Sequence, residues 1–408
     1  MNYATLTFLL FLLASGCVYF LIPKKLQWYV LLTASLTFYV LACGAPIIFL
    51  CASAAVTYFA AIVLSKLDDN FVIQKKHLDK DRRKVLKNKT LRKKKLVVFI
   101  AVTTVLLMLL STKYFNFFGS IINEVCSAAG LSAPIPVMEM LMPLGISYYT
   151  LMAVSYIADC YRGTAQPEKN PLMLLLYLCY FPHIVEGPFD RFDNLSKQFR
   201  KPHRFDYGRI KNGGIRFVWG LFKKIVIADR AALIVNTVFS DTAQYSGSLL
   251  FLSVMLYTLQ IYAEFSGCMD MVCGASEIFG ISIAENFRRP FFSTSINEFW
   301  RRWHITLSTW LKDYVFYPIS LSGHFKKLNT FLRKHIKNRH LLTLLPNAYA
   351  LFFVWFCNGL WHGASVKYIV YGLYYYALMM LGLFVRPVSA KVLNTLSISK
   401  DSGWYRIF

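Results

Sequence analysis

Two histidines in apolar, tryptophan-rich segments are the residues of this 408-residue chain best suited to chemistry. His304 lies in Glu298-Phe-Trp-Arg-Arg-Trp-His304-Ile-Thr-Leu-Ser-Thr-Trp310, and His362 lies in Trp355-Phe-Cys-Asn358-Gly-Leu-Trp361-His362-Gly363. Both are expected to be buried. An imidazole kept from water is held neutral, the form that accepts a proton. Hydrogen-bonded to an alcohol, it could take the hydroxyl proton as the oxygen attacks a thioester carbonyl. Such a base is worth roughly 10²–10⁴-fold in rate. A second polar group beside it could orient the acceptor or stabilise the oxyanion. The histidines are 58 residues apart, on different helices, so the fold must bring them into one site. Asn358, Trp303 and Trp361 flank them and are the candidate substrate contacts.

Other chemistries are poorly supplied. The sequence has no GxSxG elbow, P-loop or HExxH, and its nine cysteines form no CxxC pair, so neither a metal site nor a tightly bound cofactor is expected. Asp159, Glu186, Glu264 and Asp270 sit in or near apolar runs. Pairing with nearby arginines is the simpler role for each, with a proton relay of the transporter kind as the alternative.

The local patterns say which elements carry the histidines. Ser295 followed by Glu298 is a capping box that predicts a helix from about Ile296. On one continuous helix, Trp300, Trp303, Leu307, Trp310, Leu311 and Tyr314 make an apolar stripe with His304 on its edge, facing protein. Glu298 can pair with Arg302 one turn on. A lone histidine beside an apolar stripe is more often a satisfied core residue than a catalyst, so both roles stand for His304. Asn358 and His362 share a helix face with Trp355, at the end of a nearly uncharged run, where an ionisable group needs a reason. Gly359 and Gly363 make a small-xxx-small pattern that reads as close helix packing.

Composition supplies the surroundings. Hydrophobic residues make up 56% of the chain and charged residues only 16%, against about 25% charged in a soluble domain. A spanning helix needs about 20 apolar residues. Residues 5–22, 26–41, 47–64, 96–118, 215–239, 249–265, 341–360 and 369–385 come close to or reach that length, and 138–158 and 172–188 do so with interruptions. The expected fold is all-α: a single polytopic membrane domain over 1–408 with eight to eleven spanning or re-entrant helices, 172–188 being the re-entrant candidate.

The net charge of +24 is concentrated, with 13 Lys and Arg in residues 65–95. A short basic loop between spans is explained by positive-inside bias and anionic lipid, not by nucleic acid. Placing 65–95, 191–211 and 326–339 in the cytosol puts the N-terminus outside a plasma membrane. The polar stretch 189–212 reads as a surface loop with one or two amphipathic helices.

The sequence resembles the bacterial membrane-bound O-acyltransferase family. The resemblance is carried by Asn286-Phe, Pro290-Phe, Ser295-Ile, Glu298-Phe-Trp-Arg-Arg-Trp-His304-Ile-Thr-Leu-Ser-Thr-Trp and Gly359-Leu-Trp-His362-Gly-Ala. Pro143-Leu-Gly-Ile-Ser-Tyr-Tyr-Thr, Tyr156-Ile-Ala-Asp-Cys-Tyr-Arg-Gly and Glu264-Phe-Ser-Gly-Cys-Met-Asp agree, so that 143–372 is the family-like core and 1–130 agrees in hydropathy alone. The nearest branch is the integral membrane subunit of alginate O-acetyltransferases, with the D-alanyl transfer branch as its sister. The resemblance implies that His362 is the signature histidine and His304 its partner, in a ring of helices around a tunnel. It implies an acyl thioester donor, acetyl-CoA or, in the sister branch, a D-alanyl carrier protein. The implied acceptor is an exported or cell-wall polysaccharide, reached directly or through an extracytoplasmic SGNH-like partner. The family continues with further apolar helices after the span matching 369–385, whereas Trp404–Phe408 reads as the opening of one that is cut short. A glycan transporter and a non-catalytic scaffold of an envelope synthase are the competing classes; in a scaffold the two histidines would be dispensable.

Overall fold

The computed structural model describes residues 3–132, 135–138 and 142–396. Among them the regular structure is helical, apart from one isolated bridge between Phe287 and Trp303. The residues form two compact units, Met1–Thr112 with Met140–Glu285, and Lys113–Glu139 with Asn286–Phe408.

In the first unit, α1 (Leu6–Leu21) is capped by the Thr5 hydroxyl and is followed by α2 (Gln27–Cys43) and α3 (Ile47–Gln74). Then α4 (Lys80–Leu109) starts on Asp79, whose carboxylate accepts from the Arg82 amide. It runs through a π-helical turn, Leu110–Tyr114, into α5 (Phe115–Ala128), and the chain enters the second unit within this turn. The basic stretch 65–95 is therefore not a loop. Lysine and arginine are good helix formers, and both flanking helices extend into it, leaving a short link at 75–79. Asp68 and Lys94, 2.7 Å apart, tie the two polar helix ends together. Beyond the turn, residues 119–128 continue the helix as part of α5.

Further along the first unit lie α6 (Ile146–Arg162), α7 (Pro171–Cys179), α8 (Phe192–Arg200), α9 (Tyr207–Phe222), α10 (Asp229–Ser240) and α11 (Gly247–Ile278). The nine residues of α7 rise only about 13 Å at 1.5 Å each, too little to cross a core of about 30 Å, in keeping with a re-entrant segment. The amphipathic helix expected after residue 189 is α8, which buries Phe192, Leu195 and Phe199.

A glycine ladder lets α9 and α11 touch. A Cβ on Gly220 would lie 2.5 Å from the Gly267 carbonyl, and one on Gly274 would lie 2.4 Å from that of Gly213. The charges carried into this contact are paired, as burial requires. Asp270 meets Arg216 at 3.0 Å and Lys223 at 2.6 Å, and Glu264 meets Lys224 at 2.5 Å. Elsewhere in the unit, Asp159 on α6 meets Arg191, just before α8, at 3.5 Å. Three of the four apolar-run carboxylates are thus ion-paired. The fourth, Glu186, lies beside Cys268, and burial holds its carboxyl above the usual range.

The second unit holds α5, then α12 (Ile296–Arg302), α13 (Ile305–Leu311), α14 (Tyr317–Ser320), α15 (Gly323–His335), α16 (Arg339–His362) and α17 (Val366–Thr395). Most of the basic stretch 326–339, expected as a loop, is the amphipathic helix α15. In α16 and α17 the glycines do pack helices: a Cβ on Gly359 would lie 2.4 Å from the Tyr368 carbonyl, and one on Gly363 would enter the Tyr368 ring.

Among the described residues, six helices are long and apolar enough to cross a membrane: 24–43, 47–77, 80–128, 247–278, 339–362 and 366–395. The remaining expected spans are shorter or more polar. Helix α1 has 16 residues and α6 has 17, while the run expected at 215–239 contains a π-helical stretch with Lys223 and Lys224. The chain is a multi-pass, all-α membrane protein. The helix opening expected at Trp404–Phe408 lies outside the described residues.

Candidate active site

The side chains of the candidate site all belong to the second unit. Its first half departs from the expected single helix. The capping box forms as the spacing predicts: the Ser295 hydroxyl accepts from the Glu298 amide at 3.2 Å, and Glu298 pairs with Arg302 at 2.5 Å. But α12 ends at Arg302, Trp303 is extended, and His304 takes a left-handed conformation with φ 45° before α13 begins at Ile305. The six-residue stripe is therefore broken: Trp300 lies on α12, Trp303 in the break, Leu307, Trp310 and Leu311 on α13, and Tyr314 in the π-helical stretch that follows.

The cause is the preceding segment. Asn286, Phe287 and Arg288 run alongside the break, with the Arg288 amide donating to the Arg302 carbonyl at 3.0 Å and the Ile305 amide donating to the Asn286 carbonyl at 3.1 Å. The Asn286 side-chain oxygen then accepts from the Thr306 amide at 3.0 Å and the Thr306 hydroxyl at 2.7 Å. It does for α13 what an N-cap residue does, from outside the helix. Phe287 meets Trp303 edge to face with centroids 5.0 Å apart. These backbone and side-chain bonds hold a non-glycine residue at positive φ, a conformation kept where the surroundings over-determine it.

This geometry reverses an ordinary substitution order. Within a helix, glycine is worse than alanine by about 1 kcal/mol, but in the left-handed region alanine bears the penalty, roughly 1–2 kcal/mol. We expect His304→Gly to be the more thermostable of the pair His304→Gly and His304→Ala in detergent. Greater stability of the alanine variant would argue for an unbroken helix.

His304 is 3% exposed, and burial, with the neighbouring His362 adding to it, pushes its imidazole down to about 3. It is therefore neutral at physiological pH. His362, the last residue of α16, was expected to be buried as well, but it is exposed. Ending the helix there leaves one side of the ring open to a cavity, while Trp361 and Tyr371 cover it at centroid distances of 5.0 and 5.4 Å.

That cavity, of about 540 Å³, is lined by both histidines, Asn358, Trp303, Trp300 and Trp355, with Ser308, Arg301 and Lys312 among the polar groups. Asn358 is 4% exposed and one turn before His362, as the spacing predicts. Trp361 lies against the histidines, its ring 5.7 Å from that of His304 and 5.0 Å from that of His362. The wall is stiffened by Trp300, edge-on to Trp355 and Tyr375 at 4.9 Å each. A neutral imidazole, a second one open to the cavity, and an amide beside it are the parts a hydroxyl-activating site needs.

Four contributors were not identified from the sequence. Asn286 gave no signal separable from its motif, and the cavity positions of Arg301 and Lys312 depend on the helix break. Lys113 is different: a lysine inside the apolar run 96–118 is a functional candidate on that ground alone.

The profile described as MBOAT, membrane-bound O-acyltransferase family, matches residues 146–332. The protein named "Probable alginate O-acetylase AlgI" of Pseudomonas syringae pv. tomato is 36% identical over 69% of this chain and 51% of its own. The peptidoglycan O-acetyltransferase of Helicobacter pylori is 30% identical over 58% of this chain and 46% of its own. The teichoic acid D-alanyltransferase of Bacillus subtilis is 34% identical over 60% of each. The chain spans about half the length of the first two relatives.

Proposed function

Because the chain belongs to the membrane-bound O-acyltransferase family, we propose that it transfers an acyl group, acetyl in our reading, from a thioester to a hydroxyl of an exported or cell-envelope polysaccharide. The observation that carries the mechanism is a cavity lined by both His304 and His362. His362, open to the cavity, takes the acceptor hydroxyl proton as that oxygen attacks the thioester carbonyl. The carbonyl becomes an oxyanion, then reforms as the C–S bond breaks, and the proton ends on the leaving thiolate. The products are an ester and a free thiol, and no oxidant or further reactant is needed. His304, neutral and enclosed, orients the pair, and Asn358 lies one turn from His362 to hold the acceptor or the oxyanion.

Acetyl-CoA is the donor we favour. The names of the alginate and peptidoglycan relatives support acetyl transfer to a glycan, and Arg301 and Lys312 give the cavity two cations toward which phosphates would be drawn. The second reading, a D-alanyl group from a carrier protein, is supported by the Bacillus subtilis relative. Proteoliposomes supplied with labelled acetyl-CoA or a labelled D-alanyl carrier separate the two. Label in a base-labile glycan ester from acetyl-CoA alone is the expected result. Turnover on the carrier alone would replace the donor and keep the histidines' roles.

Orientation follows from the same reading, since the thioester is made in the cytosol. We place 65–95 and 324–340 on that side of the plasma membrane, the N-terminus outside, and the acceptor, directly or through an SGNH-like partner, outside. Cysteines introduced at exposed Lys89 and Lys327 should resist an impermeant maleimide in intact cells and react after permeabilisation. Labelling in intact cells would invert this topology.

A further inference from the structure

The end of α16 that carries His362 lacks the usual terminus. A helix leaves its last four carbonyls without intrahelical partners, and a left-handed glycine just beyond the end commonly recovers some of them. Here Gly363 is extended, with φ 178° and ψ 161°, so no such turn forms. Two of the orphan carbonyls are instead met from the turn that precedes α5. The Lys113 ammonium donates to the Trp361 carbonyl at 2.7 Å, and the Tyr114 hydroxyl donates to the Leu360 carbonyl. The Lys113 ammonium also lies 5.6 Å from the centroid of the Tyr114 ring.

Both donors come from one π-helical turn, Leu110–Tyr114. The extra residue of such a turn changes which face the following side chains occupy, and π-bulges recur at functional sites for that reason. A cation at a helix C-terminus is also favoured by the helix dipole, more so in a partly buried setting. An ammonium carried into a membrane span needs a compensating partner, and the carbonyl end of α16 supplies one. Lys113 is not in the cavity wall; it reaches the backbone of the residue before His362.

We propose that Lys113 is a positioning residue of the acyl-transfer site, which with Tyr114 caps the carboxyl end of α16 and fixes the direction in which His362 enters the cavity. This rests on the catalytic assignment of His362 made above. The role is orientation of a base, so its loss acts on turnover more than on donor binding. A misplacement of about 1 Å can cost roughly 10²-fold in rate. Lys113→Met keeps the length and apolar stem of the side chain and deletes the ammonium. Lys113→Arg keeps the cation and its donors, and Tyr114→Phe deletes a single hydroxyl.

The test measures acyl transfer by the full chain in proteoliposomes, with His362→Ala run beside each variant. Lys113→Met should lower kcat by about 10- to 100-fold with KM for the donor changed less than about threefold. Lys113→Arg should recover most of kcat, and Tyr114→Phe should lie between. If Lys113→Met does not accumulate in the membrane, Tyr114→Phe and Lys113→Arg carry the comparison, with a kcat loss in the first and near-parental turnover in the second expected. Parental kcat in Lys113→Met or in Tyr114→Phe, with His362→Ala inactive, would overturn the positioning role and leave the base intact. Full turnover by His362→Ala would remove the base and this proposal with it.

Discussion

Substitution of His362 by alanine is expected to lower acyl transfer by about 10²–10⁴-fold, the range a general base supplies, while leaving membrane insertion unchanged. The side chain sits at the end of α16, against Trp361 and Tyr371, with one side open to the cavity, so removing it leaves the α16–α17 contact at Gly359 in place. The loss should fall on kcat and on kcat/KM alike, because the proton moves only as the transition state forms. Reduced protein level with normal specific activity would instead mark His362 as a packing residue. Wild-type turnover at wild-type abundance would exclude it from the reaction.

The second large effect is expected at Asn286, which sets the position of His304 through its bonds to Ile305 and Thr306. Asn286 is 1% exposed, and its side-chain oxygen accepts from both the amide and the hydroxyl of Thr306. Asn286→Ala strips both donors of their acceptor in a buried setting, at a cost of about 1–3 kcal/mol. It also frees the start of α13, so His304 loses its fixed entry to the cavity and turnover should fall about 10- to 100-fold. Thr306→Val removes the hydroxyl partner alone. The double variant should therefore lose less stability than the two single losses added together, since the shared bond is counted twice in the sum. Additive losses would show that Asn286 acts through other contacts.

What the sequence made legible follows the range of the forces involved. Membrane embedding, the capping box at Ser295, the Glu298–Arg302 pair and the Asn358–His362 face are local, set within one or two helical turns. The break at Trp303–His304 was not legible, because nothing in Trp-Arg-Arg-Trp-His-Ile-Thr opposes a helix. It is imposed by a segment some twenty residues earlier, through the Asn286 amide and two backbone bonds. The same is true of the basic stretches 65–95 and 326–339. Their charge density suggested loops, but lysine and arginine extend helices readily once a cap such as Asp79 or Ser322 begins one. Lys113 was legible in principle as a charge within an apolar run, but its partner, a helix end nearly 250 residues away, was not. The glycine ladder between α9 and α11 was equally hidden, since Gly213, Gly220, Gly267 and Gly274 acquire meaning only when their helices are paired.

The central claim is that an acyl group passes from a thioester to a glycan hydroxyl at the cavity shared by His304 and His362. The most direct measurement reconstitutes the purified chain in proteoliposomes with labelled acetyl-CoA and polysaccharide, and follows base-labile label on the glycan alongside release of free coenzyme A thiol. The account predicts equal amounts of ester and thiol for the parental chain, with both lost in His362→Ala at equal protein content. Equal ester and thiol formation by His362→Ala would contradict it.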